Sequence, residues 1–189
     1  MKTYLFPAGK LTLICILFFV IIYGASIWGI AYVVAPNHGR GEVVVVNGKV
    51  VGFTNVGQSF TANKYFWSRP SAVNYNAAGS AGSNKGASNA DYLKQVEERL
   101  ADFTAKNPGV KREEIPVDMI TASGSGLDPH ISVQAAMVQI ARIAKERGVA
   151  EEKIKGLVDQ YTQEPLLGLF GTTTVHVLKL NIALDNIVK

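Results

Sequence analysis

The chain has 189 residues, 48% of them apolar and only 18% charged, below the roughly 25% charged content usual in soluble proteins. That length leaves room for one domain of ordinary size, and the composition excludes a disordered or collagen-like chain. The formal charge of +4 comes from 19 basic against 15 acidic residues. Because Lys2 and Lys10 precede every acidic residue, the chain beyond residue 35 carries 17 basic against 15 acidic residues, too even a balance for a nucleic-acid binder. The single cysteine, Cys15, excludes an internal disulfide and any cysteine-cluster metal site.

The first element is the uncharged run of 25 residues from Leu11 to Ala35. About 20 apolar residues cross a hydrocarbon core as a helix, so residues 11–35 are expected to form a transmembrane helix stopped by Pro36, with residues 1–10 as a cytoplasmic N-terminus. A cleaved signal peptide is the competing reading, but the apolar part of such peptides runs to only ~7–15 residues. Leu13 and Ile14 do not suit lipid attachment at Cys15. Tyr4 and Phe6 on one side and Trp28 and Tyr32 on the other suit the two membrane interfaces. Lys2, Lys10 and the terminal amine on the N-terminal side outweigh Arg40 and Lys49 on the other, so basic bias puts residues 36–189 outside the cytoplasm.

The fold expected of residues 36–189 is a single mixed domain, and the whole chain is classed as α+β. Residues 42–53 read as a β-hairpin, because Asn47-Gly48 between β-branched runs favours a two-residue turn with positive φ at both central positions. From Thr54 to Ala90 the chain is rich in Gly, Ser, Asn and Ala and reads as a long irregular segment. It carries an aromatic-basic cluster, Lys64-Tyr65-Phe66-Trp67-Ser68-Arg69-Pro70, whose rings are expected to anchor the segment to the core. A helix capped by Ser88 or Asn89 follows, with Tyr92, Val96, Leu100 and Phe103 on its buried face, ended by Asn107-Pro108-Gly109. Ile115 to Thr121 reads as a short strand leading into a turn at Ser123-Gly124-Ser125-Gly126. Ser132 caps a helix expected to run to Arg147, with Val133, Ala136, Met137, Ile140 and Ile143 inward and Gly148 past its end. A helix over Glu151 to Tyr161, a strand over Thr173 to Leu178 and a terminal helix over Lys179 to Ile187 complete the reading.

Chemistry is sparse. No phosphate-binding G-x-x-x-x-G-K-[ST] loop is present; the nearest stretch, Gly82 to Gly86, has its lysine in the wrong place. Ser125, Asp128 and His130 stand close enough in sequence to invite a hydrolase reading, yet Gly-x-Ser-x-Gly is missing. His38, His130 and His176 lack metal-ligand spacing. From these residues alone the protein is a single-pass membrane protein with no catalytic residues of its own, no metal site and no cofactor.

The stretch from Ile115 to Ser132, IPVDMITASGSGLDPHIS, closely resembles the hallmark segment of the C subunit of the Kdp potassium-transporting ATPase. Gly57-Gln58-Ser59-Phe60, Tyr65 to Ala72, Gly82-Ser83-Asn84 and Val177 to Asp185 reinforce it, in the family's order. Val133-Gln134 departs from a common Pro-Glu, and Ala87 from a common proline. The resemblance implies an accessory subunit of a high-affinity, ATP-driven potassium uptake complex of the bacterial inner membrane, needed for assembly and activity. The implied partners are the lipid bilayer, a channel-like potassium-translocating subunit, a P-type ATPase catalytic subunit and a small single-helix subunit, with no nucleic acid. Potassium is then the ion the complex transports. The resemblance makes Ser123, Ser125, Asp128, His130 and Gln139 the candidate binding residues. It leaves two roles open: a cap over the external ion entrance of the channel-like subunit, favoured by the orientation, or a catalytic chaperone that raises the ATP affinity of the ATPase subunit, the one reading in which the chain touches ATP.

Overall fold

The computed structural model describes residues 2–187, without the side chains of Lys2 and Thr3; the terminal amine and the Lys2 side chain invoked for orientation lie outside the described residues. The chain divides into two compact units, Met1–Phe53 and Thr54–Lys189.

The first unit opens with α1 (Lys2–Cys15), passes through a π-helical stretch, Ile16–Ile22, and continues as α2 (Tyr23–Val34). Tyr4–Val34 is one helical span of 31 residues, long and apolar enough to cross a membrane. The helix thus begins nine residues before the apolar run itself. It ends where expected: Ala35 is extended at ψ 150°, as a residue before proline must be to clear the ring. The hairpin follows as β1 (Val43–Val46) and β2 (Lys49–Phe53), antiparallel with a register shift between Val44 and Val45. Asn47 and Gly48 have φ of 50° and 76°, the two positive values the turn demands.

In the second unit no helix or strand lies between Thr54 and Asn89, as the composition predicts. Next comes α3 (Ala90–Lys106), capped by the Asn89 side chain accepting from the Tyr92 N–H at 3.0 Å. Leu100 and Phe103 are buried on its inner face, and Tyr92 and Val96 are half-buried. The expected strand over Ile115 to Thr121 is absent. Two 3₁₀ turns, Arg112–Glu114 and Val117–Met119, stand there. Pro116 has no N–H for a ladder, its carbonyl accepts from Met119, and that of Val117 accepts from Ile120 and Thr121.

β3 (His130–Ser132) was hidden in the sequence by its length. It leads into α4 (Val133–Met137), and α5 (Ile140–Arg147) follows. One continuous helix was expected here; it is interrupted because the Gln139 side chain donates to the Ala135 carbonyl at 2.9 Å. The Gln139 backbone N–H bonds instead to Ala136, three residues back, at 3.1 Å. Ser132 caps α4 through the Ala135 N–H, and Gly148 ends α5 at φ 64°. After α6 (Glu151–Tyr161) come β4 (Thr162–Gln163), β5 (Thr174–His176) and α7 (Val177–Asn186). β5 stops two residues short of the expected strand because His176 caps α7, its Nδ1 accepting from the Lys179 N–H at 3.4 Å. β5 lies between β3 and β4 in an antiparallel sheet, pairing His130 with His176 and Thr162 with Val175.

One hydrophobic core joins Phe66 and Trp67 of the irregular segment to Leu100, Phe103, Ile131, Ile143, Ile154, Val175, Leu180 and Leu184. The fold class is therefore the expected one: an apolar N-terminal helix, then a mixed α and β arrangement with a hairpin at its head.

Candidate functional site

The irregular segment is held by side chains from α5, α7 and the junction before α5. Residue Phe66 is fully buried, and Asn181 of α7 grips its backbone twice, accepting from the Phe66 N–H at 2.9 Å and donating to the Phe66 carbonyl at 3.0 Å. Gln139, also fully buried, accepts from the Trp67 N–H at 2.8 Å and from Arg142 Nη2 at 2.7 Å. Its amide therefore has partners at both ends. Arg142 donates to the carbonyls of Asn63 and Tyr65 and to Asn107 Oδ1, and its guanidinium lies 4.1 Å from the centre of the Trp67 ring. Burial pushes the Arg142 pKa down to about 10, which leaves it charged at neutral pH. Arg147 donates to the Lys64 carbonyl and to Asp185 Oδ1, both at 2.7 Å.

A second cluster forms around the turn at residues 123–128. The buried Ser123 Oγ accepts from the Gly126 N–H at 2.9 Å, and Ser125 Oγ accepts from the Leu127 N–H at 3.1 Å. Both serines thus help to shape the turn. Asp128 pairs with Arg69 at 2.9 Å, accepts from the His130 N–H at 3.0 Å and stands 3.6 Å from His130 Nδ1. Burial alone would raise the Asp128 pKa, but hydrogen bonding from His130 and the Arg69 charge hold it below the usual carboxylate range. The irregular segment closes over this turn. The Gly57 N–H donates to the Leu127 carbonyl at 2.7 Å, Ser71 Oγ to the Gly126 carbonyl at 2.7 Å, and Ser80 Oγ to the Ser125 carbonyl at 2.8 Å.

Of the five candidate residues, Ser123, Ser125, Asp128 and His130 come together, whereas Gln139 sits apart beneath Trp67 with no hydrogen bond to them. The two groups hold one segment two residues apart, at Trp67 and Arg69. Arg69, Arg142 and Asn181 were not singled out from sequence as site residues. Arg142 carried no signal, since at helical spacing it lies nearly opposite Ile140 and off the apolar face of α5. Among the described residues no group of three or more His, Cys, Asp and Glu side chains is placed to hold a metal ion.

A family model described as K+-transporting ATPase, c chain (KdpC), matches residues 5–186. The chain belongs to the KdpC family. It is 54% identical over 183 residues to a Flavobacterium johnsoniae protein named potassium-transporting ATPase KdpC subunit, covering 97% of this chain and 98% of that one. Proteins of the same name are similar in Bacteroides fragilis, 50% identical over 99% of this chain and 98% of theirs, and in Caldanaerobacter subterraneus, 46% identical over 93% and 91%. Of the segments that resemble the family in sequence, residues 57–60, 65–72, 115–132 and 177–185 contribute to the two clusters, while residues 82–84 make no hydrogen bond to either.

In this KdpC-family fold His176 links the sheet to the start of the second unit. Its Nε2 donates to the Thr54 carbonyl at 2.7 Å while Nδ1 accepts from Lys179, so the ring is neutral. Burial pushes its pKa down from the ordinary 6.5. The unfolded chain then binds this proton more readily than the folded one, so the contribution is complete above about pH 6.5 and is lost as pH falls toward the lowered folded value. Thermal unfolding of the full chain in detergent should show a midpoint that drops between pH 7 and pH 5. A His176→Gln variant should lose most of that slope; an equal slope in both proteins would remove His176 as its source.

Proposed function

We propose that the chain is a non-catalytic, accessory subunit of a high-affinity potassium-transporting ATPase, needed for assembly and activity, and that residues 54–187 cap the external ion entrance of a channel-like subunit. The observation that carries this reading is the employment of the candidate polar groups: Ser123 and Ser125 accept backbone N–H groups of their own turn, Asp128 is paired with Arg69, and the Gln139 amide is fully bonded. These bonds fix the shape of the 123–128 turn and of the segment that closes over it, as suits a preformed contact surface, and no phosphate-binding loop accompanies them. The named relatives, each a KdpC subunit of a potassium-transporting ATPase, support membership of such a complex, with a P-type ATPase subunit and a small single-helix subunit as the other partners. The basic bias at Lys2 and Lys10 before a single apolar span supports a cytoplasmic N-terminus in the bacterial inner membrane and an extracytoplasmic domain.

Sidedness separates this reading from the catalytic-chaperone alternative, because a domain outside the cytoplasm does not meet cytoplasmic ATP. With a cysteine at Ala87, an exposed position, in a Cys15→Ser background, intact cells should be labelled by a membrane-impermeant thiol reagent. Labelling confined to broken cells would reverse the topology and favour the ATP role.

A further inference from the structure

The ring of His176 is fully buried and is held at both nitrogens in its neutral form. Nδ1 accepts from the Lys179 N–H at the start of α7, and Nε2 donates to the Thr54 carbonyl, where the irregular segment begins. A second proton has to go on Nδ1. That turns the acceptor into a donor facing another donor, and it sets a full positive charge at the positive end of the α7 dipole. The surroundings do not compensate. The first turn of α7 holds no acidic residue, and its Lys179 is a like charge. From β3, His130 is the register partner of His176 with its ring edge-on at 5.2 Å, and a charge there also opposes one on His176. Asp128, the acid beside His130, is engaged by Arg69 at 2.9 Å and by the His130 N–H at 3.0 Å. Neither α4 nor β4 carries a charged residue, α6 turns Ile154 and Val158 inward, and residues 54–63 of the irregular segment are uncharged. The bond to the Thr54 carbonyl favours the charged ring, but burial outweighs it.

We propose that His176 is an acid-released latch: a proton on its ring unseats the first turn of α7 and, with it, the grip of Asn181 on the irregular segment. Asn181 directly follows that first turn and holds the Phe66 N–H at 2.9 Å and the Phe66 carbonyl at 3.0 Å. An unseated ring also lets go of Thr54. Acid therefore loosens the segment at Thr54 and Phe66, while Trp67 stays bonded to Gln139, which does not titrate, and stacked on Arg142, whose pKa of about 10 keeps it charged throughout. The opening is local and precedes loss of the core. Its sign follows from the two proton affinities: the open form takes the proton near the ordinary 6.5 and the closed form less readily, so opening gains as pH falls below about 6.5. Between pH 7 and pH 5 the closed-to-open ratio should fall about tenfold. Which compartment's pH works the latch rests on the extracytoplasmic placement proposed above; the latch itself does not, and the test leaves sidedness out.

The test is amide hydrogen exchange on the full chain in detergent, resolved to single residues and corrected for the intrinsic effect of pH on exchange. On going from pH 7 to pH 5, protection should fall about tenfold at Phe66 and over residues 177–181, and should hold through α5 and at Leu100 and Phe103 of α3. In His176→Gln and in His176→Asn the fall should vanish, because neither amide titrates. The asparagine variant keeps a side-chain acceptor suited to a helix cap, so the comparison survives if the glutamine variant does not fold. Equal protection at the two pH values in the unaltered chain would overturn the proposal. So would a loss spread evenly through α5 and α3, which would mean general acid unfolding, or a loss that persists in the variants, which would mean that another group takes the proton.

Discussion

Replacing Arg142 with alanine is expected to cost residues 54–187 about 3–5 kcal/mol of stability. A hydrogen bond involving a charged group contributes about 1.5–3 kcal/mol, and a buried acceptor left without its donor costs about 1–3 kcal/mol. Arg142 supplies four such acceptors: the carbonyls of Asn63 and Tyr65, Asn107 Oδ1 and Gln139 Oε1. It also stacks on Trp67, and a desolvated cation over an indole adds about 2 kcal/mol. These contributions overlap, since water entering the vacated space serves some of the acceptors, so the total stays well below their sum. Against a domain stability of about 5–15 kcal/mol, the loss releases the 63–67 segment first. Arg142→Lys should recover little, because a single ammonium cannot reproduce the planar fork. Chemical unfolding of the full chain in detergent measures both variants; a loss under about 1 kcal/mol for the alanine variant would show that the guanidinium is not what holds the segment.

Gly57→Ala is expected to separate the irregular segment from the 123–128 turn. A Cβ at position 57 would stand 2.4 Å from the Asp128 carbonyl oxygen, 2.8 Å from its carbon and 2.9 Å from the Leu127 oxygen. All three are backbone atoms, so no side-chain rotation relieves the clash. The Gly57 N–H is bonded to that same Leu127 carbonyl, and moving the segment away breaks the bond. Ordinary overpacking costs about 1–3 kcal/mol; here the expected loss is at the top of that range or above it. A complex carrying the variant should fail to assemble. Gly79→Ala and Gly86→Ala, where an added Cβ meets nothing within 4 Å, should assemble normally. Co-purification of the other subunits with each variant checks the contrast, and equal recovery of all three would leave the Gly57 approach without importance.

Elements with strong local signals were legible in the sequence. The hairpin was set by Asn47-Gly48, α3 by the Asn89 cap and a regular apolar face, and the end of α5 by Gly148. The aromatic-basic cluster is the anchor its rings imply, since Phe66 and Trp67 are buried and Arg142 and Asn181 hold them. What escaped depended on long-range pairing. β3 and β4 are three and two residues long and exist because β5 lies between them. Ile115 to Thr121 had the composition of a strand, but Pro116 cannot join a ladder, and Asp118 is used instead to accept from the Ser132 N–H at 2.7 Å. The split between α4 and α5 turns on one side chain, Gln139, bonding to the carbonyl four residues back. That same residue was grouped with the serine turn by family resemblance, and only the structure separates them.

The central claim is that the domain acts at the ion entrance and not on nucleotide. In the assembled, purified complex, Arg69→Ala and Asp128→Asn remove the partly exposed pair that joins the segment to the turn while sparing the core. The account predicts that ATPase activity in these complexes shows a KM for potassium raised several-fold, with the KM for ATP unchanged. A raised KM for ATP with an unaltered KM for potassium would contradict it.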